Sequence, residues 1–178
     1  MGVVNVLHRQ LTGIGAATAL CSGISRAVSA VVAAGGTGYK VGDQLTLSGG
    51  TNLARAAIFQ VHDVNPNGAV RIARLFLNRS GGYTAKPGNA VATTTNGSGA
   101  GCTLTVTWQD NAPPEDATSA LVQAESQGIR YRDDGTDPTA AVGATLAAGD
   151  SVILTGDLSS YKVIEQAATA KVNVTFMR

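Results

Sequence analysis

Apolar side chains recur at every second position along most of the chain, in short runs separated by clusters of Gly, Asn, Asp, Pro and Ser. That period places successive side chains on opposite faces of an extended strand, one buried and one wet. Leu104, Val106 and Trp108 alternate with Thr103, Thr105 and Thr107. Near the end, Val172, Val174 and Phe176 alternate with Lys171, Asn173 and Thr175, and Ile129 and Tyr131 alternate with Arg130 and Arg132. In 70–77 the parity slips from Val70 and Ile72 to Leu75 and Leu77, which predicts a bulge near Ala73 or a strand covered on both faces. The best helical candidate, 116–127, begins at the acidic pair Glu115-Asp116 and contains Ala, Leu and Gln, but a strand over 121–125 fits its neighbours better. The pattern predicts an all-β protein.

An internal repeat of about 45 residues organises the first half, a period at which repeated supersecondary units are expected. One copy runs from Val28 through Gly38-Tyr39 and Gly42-Asp43 to 54–61 (ARAAIFQV); the other runs from Val70 through Gly82-Tyr83 and Gly88-Asn89 to 99–106 (GAGCTLTV). Each reads strand, glycine turn, Tyr, Gly-Asp or Gly-Asn turn, strand, glycine-rich loop, strand, and two such units need each other to close a core. Tyr39 and Tyr83 are expected to cap the apolar ends of the units with their hydroxyls wet. The run 109–116 (QDNAPPED) combines a Pro pair with acids and reads as a boundary. Beyond it, strands are expected at 118–125, 128–133, 150–155, 160–166 and 170–177, a thin sandwich that recruits 3–20 as further strands. The resulting map is a β-sandwich base of 1–22 plus 109–178, with an inserted glycine-rich β-module at 23–108 whose repeats span about 28–64 and 70–108.

Composition changes this picture in two respects. The chain of 178 residues is 44% hydrophobic, 14% charged and 4% aromatic with 22 glycines, a folded, turn-rich profile rather than a disordered one. The net charge of +1 conceals an asymmetry: 1–108 holds eight Lys or Arg against Asp43 and Asp63, while 109–178 holds five against ten acids. The longest apolar stretch, 27–34, is too short to span a bilayer as a helix, and 1–11 lacks the pattern of a secretory signal, so a cytosolic site of synthesis and no membrane association are expected. Cys21 and Cys102 match neither a disulfide framework nor a zinc site and read as small core residues.

The segments GGTGYKVGDQLTLSGG, RSGGYTAKPGN and NGSGAGCTLTVTW together resemble a glycine-rich β-module of tailed-bacteriophage virion proteins. The start RQLTGIGAATAL and the later RYRDDGTDPT also resemble paired segments of small phage structural proteins, in which the two pieces lie close in sequence. Here the glycine-rich module separates them. The resemblance implies a virion component on the head and identifies no catalytic residue.

Candidate chemistry is sparse. The acidic loop Asp133-Asp134-Gly135-Thr136-Asp137 clusters carboxylates on a turn, but it lacks the length, closing Glu and ligand alternation of a calcium loop, so a structural hairpin is favoured and no metal or cofactor is expected. His8 and His62 have no local partner for acid–base or metal chemistry. The run 12–17 (TGIGAA) lacks the third spaced glycine of a dinucleotide loop, and 35–38 (GGTG) lacks the Lys-Ser/Thr of a phosphate loop. Arg55, Arg71, Arg74, Arg79 and Lys86 would form a basic face; with almost no interleaved aromatics, a solvated face or an acidic protein partner is favoured over nucleic acid. Arg130, Arg132, Asp133 and Asp134 are candidates for pairing across a subunit interface.

The expectation is therefore a non-enzymatic capsid decoration, or cement, protein. It would be a homotrimer binding the major capsid protein on the capsid surface, after assembly in the host cytoplasm. The alternative is a tail, neck or fibre component holding a host carbohydrate through Tyr39 and Tyr83. A glycosidase ranks behind both, because the glycine-rich module is poor in the paired acids that such chemistry needs.

Overall fold

The computed structural model describes residues 5–53 and 55–178, with side chains from Leu7 onward. The chain is all-β. In order the strands are β1 (Asn5–Leu11), β2 (Thr18–Ala19), β3 (Ser25–Thr37), β4 (Gln44–Leu47), β5 (Thr51–Asn52), β6 (Ile58–Val64), β7 (Val70–Leu75) and β8 (Tyr83–Ala85). They continue as β9 (Val91–Thr95), β10 (Ala100–Asp110), β11 (Ser119–Ala124), β12 (Ile129–Arg132), β13 (Ala144–Leu146), β14 (Ser151–Thr155), β15 (Lys162–Glu165) and β16 (Val172–Met177). The helical candidate at 116–127 is the strand β11, as its alternation of buried Ala120, Val122 and Ala124 with wetter neighbours requires. No helix among the described residues is long and apolar enough to cross a membrane.

Two compact units result: Met1–Gly23 with Asn111–Arg178, and Ile24–Asp110. The first holds two four-stranded antiparallel sheets, β1-β16-β11-β14 and β13-β12-β15-β2. In β16, Val172, Val174 and Phe176 are fully buried between the ladders to β1 and β11. Removing each such side chain from water stabilises the fold by roughly 1.5–3 kcal/mol. The expected strand at 3–20 is present as β1 and β2; Val3 and Val4 lie outside the described residues. Cys21, in this unit, and Cys102, in the other, are both buried, and no disulfide joins them.

The second unit is built around the order β3-β10-β9-β4-β6-β7, with β8 and β5 continuing beyond β3. Exchanging the two sequence repeats maps those six strands onto themselves: β3 with β7, β4 with β9, and β6 with β10. The outer strands β3 and β7 also pack against each other, so the sheet curls around one core shared by Leu45, Phe59 and Val61 from one copy and Val91, Leu104 and Val106 from the other. The slip in 70–77 is a bulged ladder. Val61 faces Ala73 and Asp63 faces Ile72, then Val64 faces Val70, so His62 and Arg71 are the extra residues on their strands.

The two tyrosines overturn their expected exposure. Tyr39 is 3% exposed and Tyr83 is 0% exposed. The Tyr83 hydroxyl accepts the Ala57 N–H at 2.9 Å, and the Tyr39 hydroxyl accepts the Cys102 N–H at 3.1 Å. Ala57 and Cys102 occupy the same place in the two copies, so each tyrosine satisfies a buried main-chain donor of the opposite copy, Cys102 within β10 and Ala57 just before β6. A phenol suits this role because its ring fills the core while its oxygen accepts.

Candidate interaction surfaces

Of the residues singled out from sequence, Arg55, Arg71, Arg74, Arg79 and Lys86 lie on the second unit and Arg130, Arg132, Asp133 and Asp134 on the first. In the second unit, β7 places Arg71 and Arg74 outward around the buried Ala73. The Arg71 guanidinium lies 3.5 Å from the Asp63 carboxylate across the bulge. Arg74, opposite Gln60, makes no ion pair among the described residues. Arg55 is half-buried, and Arg79 is half-buried with its Nε lacking a hydrogen-bond partner among the described residues. The Lys86 ammonium donates to both Asp110 carboxylate oxygens at 2.9 and 3.0 Å. Arg71 and Lys86 are therefore neutralised within their own unit, and Arg74 is an exposed guanidinium with no ion pair among the described residues.

Asp110 also accepts the Ser25 hydroxyl, across the β3–β10 ladder. That hydrogen bond, then the one from Lys86, holds the carboxyl below its ordinary range. A depressed carboxylate contributes stability above its unfolded pKa, about 4, and loses it as pH falls through the lower folded value. Acid unfolding should thus be less steep below about pH 4 in Asp110→Asn than in the unaltered chain. Fluorescence of Trp108, the one tryptophan, reads this directly; equal acid slopes would show the pair to be inert.

On the first unit, Arg130, Arg132, Asp133 and Asp134 are drawn into contacts within the chain. Arg132 and Asp134 form an ion pair. Asp134 also accepts the Thr136 N–H at 3.0 Å and the Thr136 hydroxyl at 2.6 Å. The arginine first, then the threonine, holds the Asp134 carboxyl well below the usual range. Lys162 reaches Asp137 at 2.6 Å, and the Ser160 hydroxyl donates to the Asp133 carbonyl at 2.6 Å. Arg130 donates to the Gly143 carbonyl at 3.0 Å. These contacts close the 133–137 loop with the chain's own cations, and no group of three His, Cys, Asp or Glu among the described residues is placed to hold a metal ion.

The pieces RQLTGIGAATAL and RYRDDGTDPT, far apart in sequence, meet in one sheet. Thr18 and Ala19 of β2 pair with Val163 and Lys162 of β15, and the same two residues of β15 pair with Tyr131 and Arg132 of β12. His8 contacts the Thr175 hydroxyl at 2.8 Å, and His62 is exposed on its bulge.

Sequence reasoning missed the exposed aliphatics. Leu77 is 84% exposed, Ile153 62% and Ile72 44%. A signal existed for Ile72 and Leu77: 70–77 carries aliphatics on both parities, more than one core face can take. Comparison with family models, with curated proteins and with solved structures finds no match to this chain.

Proposed function

We propose that this chain is a virion structural protein of a tailed bacteriophage, a capsid decoration protein that binds the major capsid protein and braces the shell. The observation that carries the reading is the meeting of RQLTGIGAATAL and RYRDDGTDPT in one sheet, with a single strand between β2 and β12. In the phage proteins that these segments resemble, they are neighbours in sequence; here the fold returns them to neighbourhood across more than a hundred residues. The ionic and hydroxyl contacts of the 133–137 loop give its acids a structural task and supply no paired carboxylates for chemistry. In this reading the protein acts through surfaces, as a homotrimer seated on the capsid, and not as an enzyme.

The carbohydrate-binding alternative loses its only stacking candidates, because both tyrosine rings are buried and both hydroxyls are occupied. The test is co-sedimentation of purified protein with assembled capsid shells. Saturable binding that raises the shells' resistance to heat is expected; protein that stays in the supernatant at every concentration would contradict the reading.

A further inference from the structure

We propose that copies of this chain join head to tail, with Ile72, Arg74 and Leu77 of one copy seated on Asp150 and Ile153 of the next. The inference rests on the self-association in the functional reading and adds the contact that produces it. Ile72 and Arg74 have the same parity on β7 and stand outward on either side of the buried Ala73. Two residues past the strand, Leu77 sits at the tip of a turn closed by the Arg79 N–H on the Phe76 carbonyl at 3.0 Å. At 84% exposure it is the barest large aliphatic of the described residues. Between Asp63 and Asp110 the sequence contains no acid at all, so this apolar tip lies in a purely cationic stretch.

The first unit carries the complement. β14 ends its sheet, with a ladder to β11 on one side only. Ile153 stands outward at its centre, 62% exposed, flanked by the uncharged, exposed Ser151 and Thr155. Asp150 precedes the strand, exposed, with no side-chain partner among the described residues. From Asp133 to Tyr161 the sequence contains five acids and no Lys or Arg. The first unit as a whole holds nine acids against six bases, and the second seven bases against three acids.

An exposed aliphatic beside an unpaired charge gains most from a partner that offers an aliphatic and the opposite charge, since one contact then buries apolar area and matches potential. On the second unit Arg74 shares the outward parity of Ile72, and on the first Asp150 stands at the entrance to the edge strand that carries Ile153. Nucleic acid would use Arg74 but leave Ile72 and Leu77 in water. Because the two patches differ, the contact is heterologous, so every copy can give one and receive one; a ring such as a trimer forms when the rotation closes.

Sedimentation velocity of the full chain near physiological salt tests this with Arg74→Glu, Asp150→Arg and the double variant. Each single reversal should raise the concentration needed for half-association by about tenfold or more, and the double variant should recover most of that loss. Arg74→Gln and Asp150→Asn serve in the same way if a reversal fails to fold. Unchanged association in both singles, or a double variant no better than either, overturns the contact while leaving shell binding intact. A wild-type chain that is strictly monomeric yet sediments with shells overturns the contact and the trimer together, and leaves shell binding standing. Loss of binding to a random DNA duplex in Arg74→Glu, with association unchanged, would assign the patch to nucleic acid.

Discussion

Truncation of Tyr83 to alanine will unfold the second unit at far lower urea than the unaltered chain, by a margin of about 3–5 kcal/mol. Tyr83 is among the largest fully buried side chains. Its ring meets Trp108 edge-on at 4.9 Å, and its hydroxyl receives the Ala57 N–H. Removal therefore opens a cavity and orphans a main-chain donor in one step. Tyr83→Phe separates the two effects: it keeps the ring and leaves the Ala57 N–H unsatisfied, at a cost of about 1–3 kcal/mol. Tyr39→Phe should cost a similar amount, because Cys102 stands where Ala57 stands in the other copy. Trp108 fluorescence in a urea titration gives the comparison. If Tyr83→Ala melts with the unaltered chain, the ring is not part of the core.

Gly36→Val will be of comparable damage. Gly36 has φ of 62°, in the left-handed region that a β-branched residue avoids. A Cβ there would lie 2.2 Å from the Ala100 carbonyl oxygen and 2.7 Å from the Cys102 nitrogen. The flanking pairs Thr37 with Ala100 and Gly35 with Cys102 place Gly36 opposite Gly101, which also has positive φ, so glycine meets glycine across the β3–β10 ladder. Neither the main chain of β10 nor the bend of β3 yields cheaply. Overpacking contributes about 1–3 kcal/mol and the backbone strain a comparable amount. Gly23→Ala also asks for a positive φ, but it meets no atom within 4 Å and should cost less. Equal urea midpoints for Gly36→Val and Gly23→Ala would refute the steric account.

The strands were legible because alternation is local. Thr103 to Trp108 and Lys171 to Phe176 each announce a buried and a wet face within six residues. The repeat was legible as well, but its consequence was not. Nothing in GTGY or GGYT says whether a tyrosine points outward or crosses into the other copy; that depends on the curling of β3 onto β7, a long-range event. The interface candidates show the same division. Charge types and their segregation are visible in sequence, whereas the pairing of Arg132 with Asp134, Arg71 with Asp63 and Lys86 with Asp110 needs register and bulges. Leu77 and Ile153 were missed because an aliphatic residue reads as core until the turn or sheet edge that exposes it is known.

The proposed function lies on surfaces: Ile72, Arg74 and Leu77 on one unit and the edge strand with Asp150 and Ile153 on the other, in a protein proposed to sit on the outside of a phage head. A reconstruction of virions assembled with this chain decides that proposal. Density for the two units is expected on the outer capsid surface, in contact with the major capsid protein and with further copies of the chain. Density confined to the tail, or its absence from the particle, would contradict it.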